Sequence, residues 1–376
     1  MSILGQTYAD RSVVVTGHTG FKGAWLAEWL GTLGAHVTGY ALDPPTQPNL
    51  FDTLALGTRL KHVVADIRDR DRLVAEVKLA QPSVIFHLAA QPLVRRAYAE
   101  PHETFETNVM GTVNVLEAAR ACPSVRAVVV VTSDKSYQNL ETGRAFRETD
   151  PMGGRDPYSA SKGCAELVTT AYRESFFAGG AAIASARAGN VMGGGDWAPD
   201  RIVPDCVRAL LAGDPIVVRN PGAVRPWQHV LEPLSGYLWL AASMLRDARR
   251  YEGAWNFGPI DQGGDKPVRW VVDRFVDGWG SGSWVTPANA GRQPHEAHHL
   301  GLDSSKAREQ LGWAPVWGVQ TAVRQTVSWY RDYHQAPATA RELVGRQLRT
   351  FEDDARAMGL PWAVAEARAE AERSIT

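Results

Sequence analysis

The chain has 376 residues, with 40 Lys and Arg against 41 Asp and Glu and a net charge of −1. That balance excludes a general nucleic-acid or membrane-surface role, both of which work through excess positive charge. The length allows one large or two medium domains whose core needs no disulfide or structural metal. Three scattered cysteines, Cys122, Cys164 and Cys206, offer neither a bridge framework nor a zinc knuckle.

The first residues lead into a strand with no signal-peptide pattern. No apolar run approaches the length of a membrane span. A soluble cytoplasmic protein is the expectation.

Val13-Val14-Val15-Thr16 reads as a buried strand. Gly17, Gly20 and Gly23 follow at three-residue intervals, and then Trp25, Leu26, Trp29, Leu30 and Leu33 recur at helical spacing. Strand, tight turn and helix N-terminus in that order make a phosphate site. The first amides of a helix lack partners, and glycine lets a pyrophosphate approach the backbone. A second strand-like run, His36 to Leu42, ends at Asp43, twenty residues after Gly23. A carboxylate there suits the ribose hydroxyls of NAD and repels the extra phosphate of NADP. The bland alternative is a turn residue before Pro44-Pro45.

Val84 to Leu88 and Val125 to Val131 read as buried parallel strands, with a long amphipathic helix over 104–121 between them. This alternation predicts an α/β fold, a Rossmann-type doubly wound parallel sheet. Residues 1–190 would form the nucleotide-binding domain, and Thr132, Ser133, Asp134 and Lys135 would close a strand at the cleft. Tyr158 and Lys162, four apart, share one helical face. A phenol titrates near 10, so it needs a neighbouring ammonium and a cationic nicotinamide to act as a base. A hydroxyl from Thr132 or Ser133 would bind the reacting oxygen. Asp134 and Lys135 add an acid and a base that simple hydride transfer does not require.

After about Asn190 the chain turns irregular and rich in Gly, Pro and Trp. Short helices are expected over 203–212 and 234–246, and a strand at Ala254–Phe257 returning to the sheet. Residues 191–334 would form mainly a smaller, interleaved substrate-binding domain, with a segment near 230–260 returning to the nucleotide-binding domain. Arg219, Arg225, Trp227 and His229 form a polar-aromatic cluster there, and arginine suits a diphosphate. His295-Glu296-Ala297-His298-His299 fits the H-E-x-x-H zinc pattern, but Pro294 before it and Gly301 after it argue for a loop or strand, and no metal is expected. Residues 335–376 read as a charged helical extension that packs on the surface or mediates contacts, with no legible function.

Together these residues resemble the extended short-chain dehydrogenase/reductase family, and within it the CDP-glucose 4,6-dehydratases. The resemblance rests on GHTGFKG at Gly17–Gly23, His87 through Arg96, Thr132 through Lys135, Tyr158 through Glu166, Ala186 through Val191, Gly193 through Trp197, Asn220 through Pro233, and Pro294 to His298. It spans about residues 8 to 334. It implies that NAD lies along Gly17, His18, Thr19, Gly20, Phe21, Lys22 and Gly23, with Asp43 on the ribose and Asp66-Ile67 near the adenine. Further along, Leu88, Ala89, Ala90, Asn108, Thr132, Tyr158, Lys162 and Arg187 would complete the cofactor site. Gln91, Arg95, Ser133, Asn190, Arg201, Arg219, Arg225 and His229 would hold a nucleotide-sugar substrate, CDP-glucose.

The implied reaction oxidises C4 of the glucosyl unit, with Tyr158 as base and Lys162 lowering its pKa. It then eliminates water across C5 and C6, with Asp134 as acid and Lys135 as base, and returns the hydride to C6. Ser136 and Gln138 stand where the resemblance leads one to expect Cys and Glu. The family suggests a homodimer through the helices at 104–121 and 158–177. The rival readings are a nucleotide-sugar epimerase, a dehydratase for another nucleotide sugar, and a catalytically silent NAD-sensing binding protein.

Overall fold

The computed structural model describes residues 1–259, 265–288 and 296–365. Six strands come in sequence: β1 (Ser12–Thr16), β2 (His36–Ala41), β3 (Lys61–Val64), β4 (Val84–His87), β5 (Ala127–Val131) and β6 (Ala182–Ala188). A seventh, Gly253–Phe257, pairs in parallel with β6, as expected of the returning strand. The sheet order is Gly253–Phe257, β6, β5, β4, β1, β2, β3, with every pairing parallel.

Valine runs make β1 and β5 because β-branched side chains pack well on a pleated surface buried on both faces. Side chains alternate between the two faces. Val13 and Val15 of β1, with Val129 and Val131 of β5, enter one apolar layer. Val14, Val128 and Val130 enter the other. Each such burial contributes about 1.5–3 kcal/mol.

β6 has no counterpart in the sequence reading. Its Ala-Ile-Ala-Ser-Ala-Arg-Ala stretch carries little strand propensity, yet every residue in it is buried. Burial between two layers, not propensity, makes it a strand.

The helix expected over 104–121 is three pieces: Pro101–Phe105, a π-helical turn Glu106–Met110 and Gly111–Arg120. The wide turn carries Asn108, and such turns often occur at functional sites. The helices expected in the C-terminal half are present as Ile202–Ala212 and Leu231–Arg246. Short two-stranded pairings, such as Val224–Pro226 with Asp265–Pro267, build the irregular region.

The C-terminal extension corrects an expectation. The helix Ala340–Ala357 belongs to the core and buries Leu343, Val344, Leu348, Phe351 and Ala355. Phe351 meets Trp317 edge-on at 5.0 Å and stacks on Trp362 at 5.9 Å. The Trp29 indole donates to Glu352 at 2.7 Å, and the Ile3 amide donates to the Val364 carbonyl at 3.0 Å. The extension therefore clasps both the chain's N-terminal end and the back of the helix Phe21–Thr32. Residues 366–376 lie outside the described residues.

Candidate active site

The strand order reverses between β1 and β4, and the loops leaving their C-terminal ends diverge there into a crevice. Thr16 pins the two loops together. Its hydroxyl oxygen accepts from the Leu88 and Ala89 amides, each at 3.2 Å, and meets the His87 ring at 2.8 Å. Gly17 has φ +74°, and a Cβ on it would stand 2.6 Å from the Ala89 nitrogen. A Cβ on Gly23 would stand 2.1 Å from the Gly17 carbonyl oxygen. Only glycine permits this turn at either position.

The helix Phe21–Thr32 opens at Gly20 with no side chain capping its amides, so they are left for an anion. Thr19 fixes the loop to β2 through the Leu42 carbonyl at 2.9 Å. His18 is buried under it, 2.7 Å from the His62 ring and edge-on to Phe51. Burial and His62 push it down to about 3, so it stays neutral. Asp43 is exposed two residues beyond β2. The Asp66 carboxylate pairs with Arg68 at 2.6 Å, and Ile67 packs under Gly111.

The chemical groups gather at the end of β5. The helix Pro157–Phe176 starts there because Asp156 caps the Ser159 amide at 2.9 Å and Pro157 takes the first turn. Lys162 donates to the Val131 carbonyl at 3.3 Å. Its burial pushes it down to about 8, with Glu166 opposing. Tyr158, one turn earlier, is pushed up to about 12 by burial. The Ser133 hydroxyl and Arg201 lower it, while Asp134 and Asp156 raise it.

The hydroxyl beside Tyr158 is therefore Ser133. The Thr132 hydroxyl is engaged with the Glu166 carboxylate, which corrects its expected catalytic and cofactor roles. Asp134 is 1 % exposed; one carboxylate oxygen accepts from Ser133 at 2.9 Å and the other has no partner among the described residues. A buried carboxylate oxygen without a partner is costly unless a ligand or proton meets it. Lys135 is partly exposed beside it.

Four expected ligand residues have structural partners instead. The Arg187 guanidinium pairs with Glu166 at 2.7 Å and donates to the Tyr137 hydroxyl at 2.6 Å, inside the protein and not on a cofactor. Burial raises the Glu166 carboxyl, but Arg187, Thr132 and Ser185 together hold it below the usual range. The Asn108 side chain bridges Gln91 and Ser161, accepting from the Gln91 amide at 2.8 Å and donating to Ser161 at 2.8 Å. The Gln91 side chain closes on its own loop through Leu93 and Thr104. His229 is fully buried between Trp25 and Trp317, which leaves no face for substrate. Glu166 was missed as a key residue because its role depends on partners from β5 and β6, distant in sequence.

The other arginines pair with acidic side chains. Arg95 and Arg219 meet on Asp200, at 3.3 and 2.9 Å. Arg225 is buried and lies 3.4 Å from Glu296. Glu296 feels the charges of Lys135, Arg225 and Arg219, which puts all four in one neighbourhood. Arg201 pairs with Asp196 at 3.0 Å and lies close enough to Tyr158 to lower it. Asn190 keeps a buried side-chain amide oxygen with no partner among the described residues. The zinc-like motif is extended at its end, where His299 bridges to Val224. His295, with Pro294, lies outside the described residues.

Residues 13–256 match the model of the NAD dependent epimerase/dehydratase family. The chain belongs to that family. It is 49% identical over 331 residues to a CDP-glucose 4,6-dehydratase of Salmonella typhimurium, covering 86% of this chain and 91% of that one. Among solved structures it resembles a dTDP-glucose 4,6-dehydratase from Streptomyces venezuelae with NAD bound, with TM-score 0.70 and 26% identity over 87% of this chain and 99% of that one. It also resembles a UDP-glucose 4-epimerase from Thermus thermophilus complexed with NAD, with TM-score 0.70 and 26% identity over 85% and 98%.

The crevice fits the cofactor of an epimerase/dehydratase. A Cβ added at Gly20 would meet only the Gly17 carbonyl oxygen, at 3.4 Å, and the helix behind it offers amides that no side chain caps. Asp43 lies exposed just past β2, and Tyr158 and Lys162 lie on the helix that meets the end of β5.

Proposed function

We propose that the protein is an NAD-dependent hydro-lyase that converts CDP-glucose to CDP-4-keto-6-deoxyglucose, working as a cytoplasmic homodimer. One observation carries the reading above the others. The epimerase/dehydratase cleft holds, beside its Tyr158–Ser133 pair, a buried carboxylate with an unmatched oxygen and a lysine next to it. An epimerase has no use for Asp134 and Lys135, and elimination of water needs an acid and a base. The 49% identity to a CDP-glucose 4,6-dehydratase supports the same reaction and the cytidine nucleotide.

NAD, when bound, supplies an acceptor for the C4 hydride and later a donor of that hydride to C6. Tyr158 takes the proton from the C4 hydroxyl, and Ser133 holds that oxygen. Arg201 and Lys162 provide the positive charge that makes the phenolate accessible. With C4 a carbonyl, the C5 proton is acidic, and Lys135 removes it. Asp134 protonates the C6 hydroxyl, which leaves as water. A proton then returns to C5, so the sugar loses one water and gains or loses nothing else. Arg225 and Asn190 orient the diphosphate and sugar, and Arg95 and Arg219 line the entrance.

Exposed apolar side chains support the dimer. Phe105, Met110, Leu167 and Phe176 project from the helical segments around 101–120 and 157–176. No helix among the described residues is long and apolar enough to cross a membrane.

Incubation with CDP-, UDP-, dTDP- and GDP-glucose, followed by the alkaline absorbance of a 4-keto sugar, tests the assignment. The largest kcat/KM should belong to CDP-glucose. Preference for another of the four would overturn the cytidine assignment, and a C4 epimer without keto product would overturn dehydration.

A further inference from the structure

One cation in the cleft has no part in the chemistry above. Lys22 belongs to the phosphate-binding turn, yet its side chain does not run out to solvent. It is partly buried, with its ammonium 3.3 Å from the Tyr237 hydroxyl and 5.6 Å from the centre of that ring. Tyr237 is itself fully buried in the helix Leu231–Arg246 and close enough to Tyr158 to feel its charge. The groups acting electrostatically on Lys22 are Arg201, Lys162 and Asp134, which surround the catalytic tyrosine. Burial, then Arg201 and Lys162, push the amine down to about 7, while Asp134 opposes them. A lysine that starts at the phosphate turn thus ends among the groups at the reacting end of the crevice.

A neutral methylene chain would fill this space without the desolvation of an ammonium, so the charge calls for a function. The dinucleotide is anionic through its diphosphate, and a lysine on the turn does not oppose its binding. The nicotinamide ring differs between the two redox forms. Oxidised, it carries a positive charge. When the sugar C4–H bond breaks, the ring gains a hydride with both electrons and becomes neutral, while the O4 proton goes to Tyr158. A nearby fixed cation raises the energy of the first form relative to the second.

We propose that Lys22 tunes the redox balance of the bound cofactor, its ammonium on Tyr237 favouring the neutral reduced nicotinamide over the cationic oxidised one and so driving oxidation of the sugar at C4. The proposal rests on the dehydratase reading, through the cofactor it assigns. It gives Lys22 a role distinct from uniform attraction of the diphosphate, which would strengthen both redox forms equally.

The test is a redox titration of the purified holoenzyme against a mediator couple, read by the absorbance of the reduced nicotinamide, on the acid side of pH 7, where the amine is protonated. Lys22→Met keeps the stem and removes the charge. At a fixed potential its ratio of reduced to oxidised cofactor should fall by about ten-fold, the scale of one unit charge acting in a partly screened interior. Lys22→Arg, which keeps the charge, should stay within about two-fold of wild type by the same argument. Should Lys22→Met purify without cofactor, the same ratio is obtained from its affinities for added NAD⁺ and NADH. An unchanged ratio in protein that binds both forms overturns the proposal alone. Wild-type protein that binds neither form overturns the cofactor assignment, and this proposal with it.

Discussion

Lys162 hangs its ammonium on the carbonyl of Val131, the last residue of β5, at 3.3 Å. That contact locks the helix Pro157–Phe176 to the strand end, so that Tyr158, one turn earlier, arrives beside Ser133. Tyr158→Phe keeps the ring and its packing and removes the oxygen that takes the proton. Turnover should fall on the order of 10²–10⁴-fold, with the melting temperature close to wild type. Near-normal turnover in a folded variant would remove Tyr158 from the mechanism.

Asp43 is exposed just past β2, where a carboxylate would suit the ribose hydroxyls of NAD and repel a 2′-phosphate. Asp43→Ala should narrow the preference for NAD over NADP in binding titrations. Equal affinities already in the wild type would count against this assignment.

Three buried histidines make stability pH-dependent. Burial, with His62 adding to it at His18 and Lys162 at His87, pushes His18, His87 and His229 down to about 3. In the unfolded chain each titrates near 6.5. Between those values the unfolded state binds more protons, so these groups stabilise the fold above 6.5 and progressively less as pH falls toward 3. The slope should approach about 4 kcal/mol per pH unit if all three contribute fully. Urea melts across this window measure it, and His87→Asn should flatten it. Stability that stayed level down to pH 4 would contradict the neutral, buried state of these rings.

Lys135→Met should separate the two halves of the chemistry. Oxidation at C4 needs Tyr158, Ser133 and Lys162 and should survive. Elimination should stall. In quenched single-turnover experiments, a 4-keto hexose that still carries its C6 hydroxyl should accumulate on the nucleotide. Elimination at the wild-type rate would exclude Lys135 as the C5 base.

The parts legible in the sequence are those fixed by local chemistry. Gly17 and Gly23 are needed because a Cβ would collide with backbone at 2.6 and 2.1 Å, and that requirement shows as the glycine spacing itself. Tyr158 and Lys162 share a helical face by spacing alone. What stayed hidden depends on partners far along the chain. Arg187 looks like a ligand residue until Glu166, Ser185 and Tyr137 are brought around it. His229 looks polar and available until Trp25 and Trp317 enclose it. The helix Ala340–Ala357 looks like a charged surface helix, because its apolar stripe becomes meaningful only beside Trp29 and Trp317.

The central claim is that one hydride leaves C4 and returns to C6 of the same sugar. CDP-glucose carrying deuterium at C4 tests it most directly, with the product examined by proton and deuterium NMR. The account predicts that the deuterium appears in the C6 methyl group of a 4-keto product. Deuterium retained at C4, in substrate or in a C4 epimer, would contradict it.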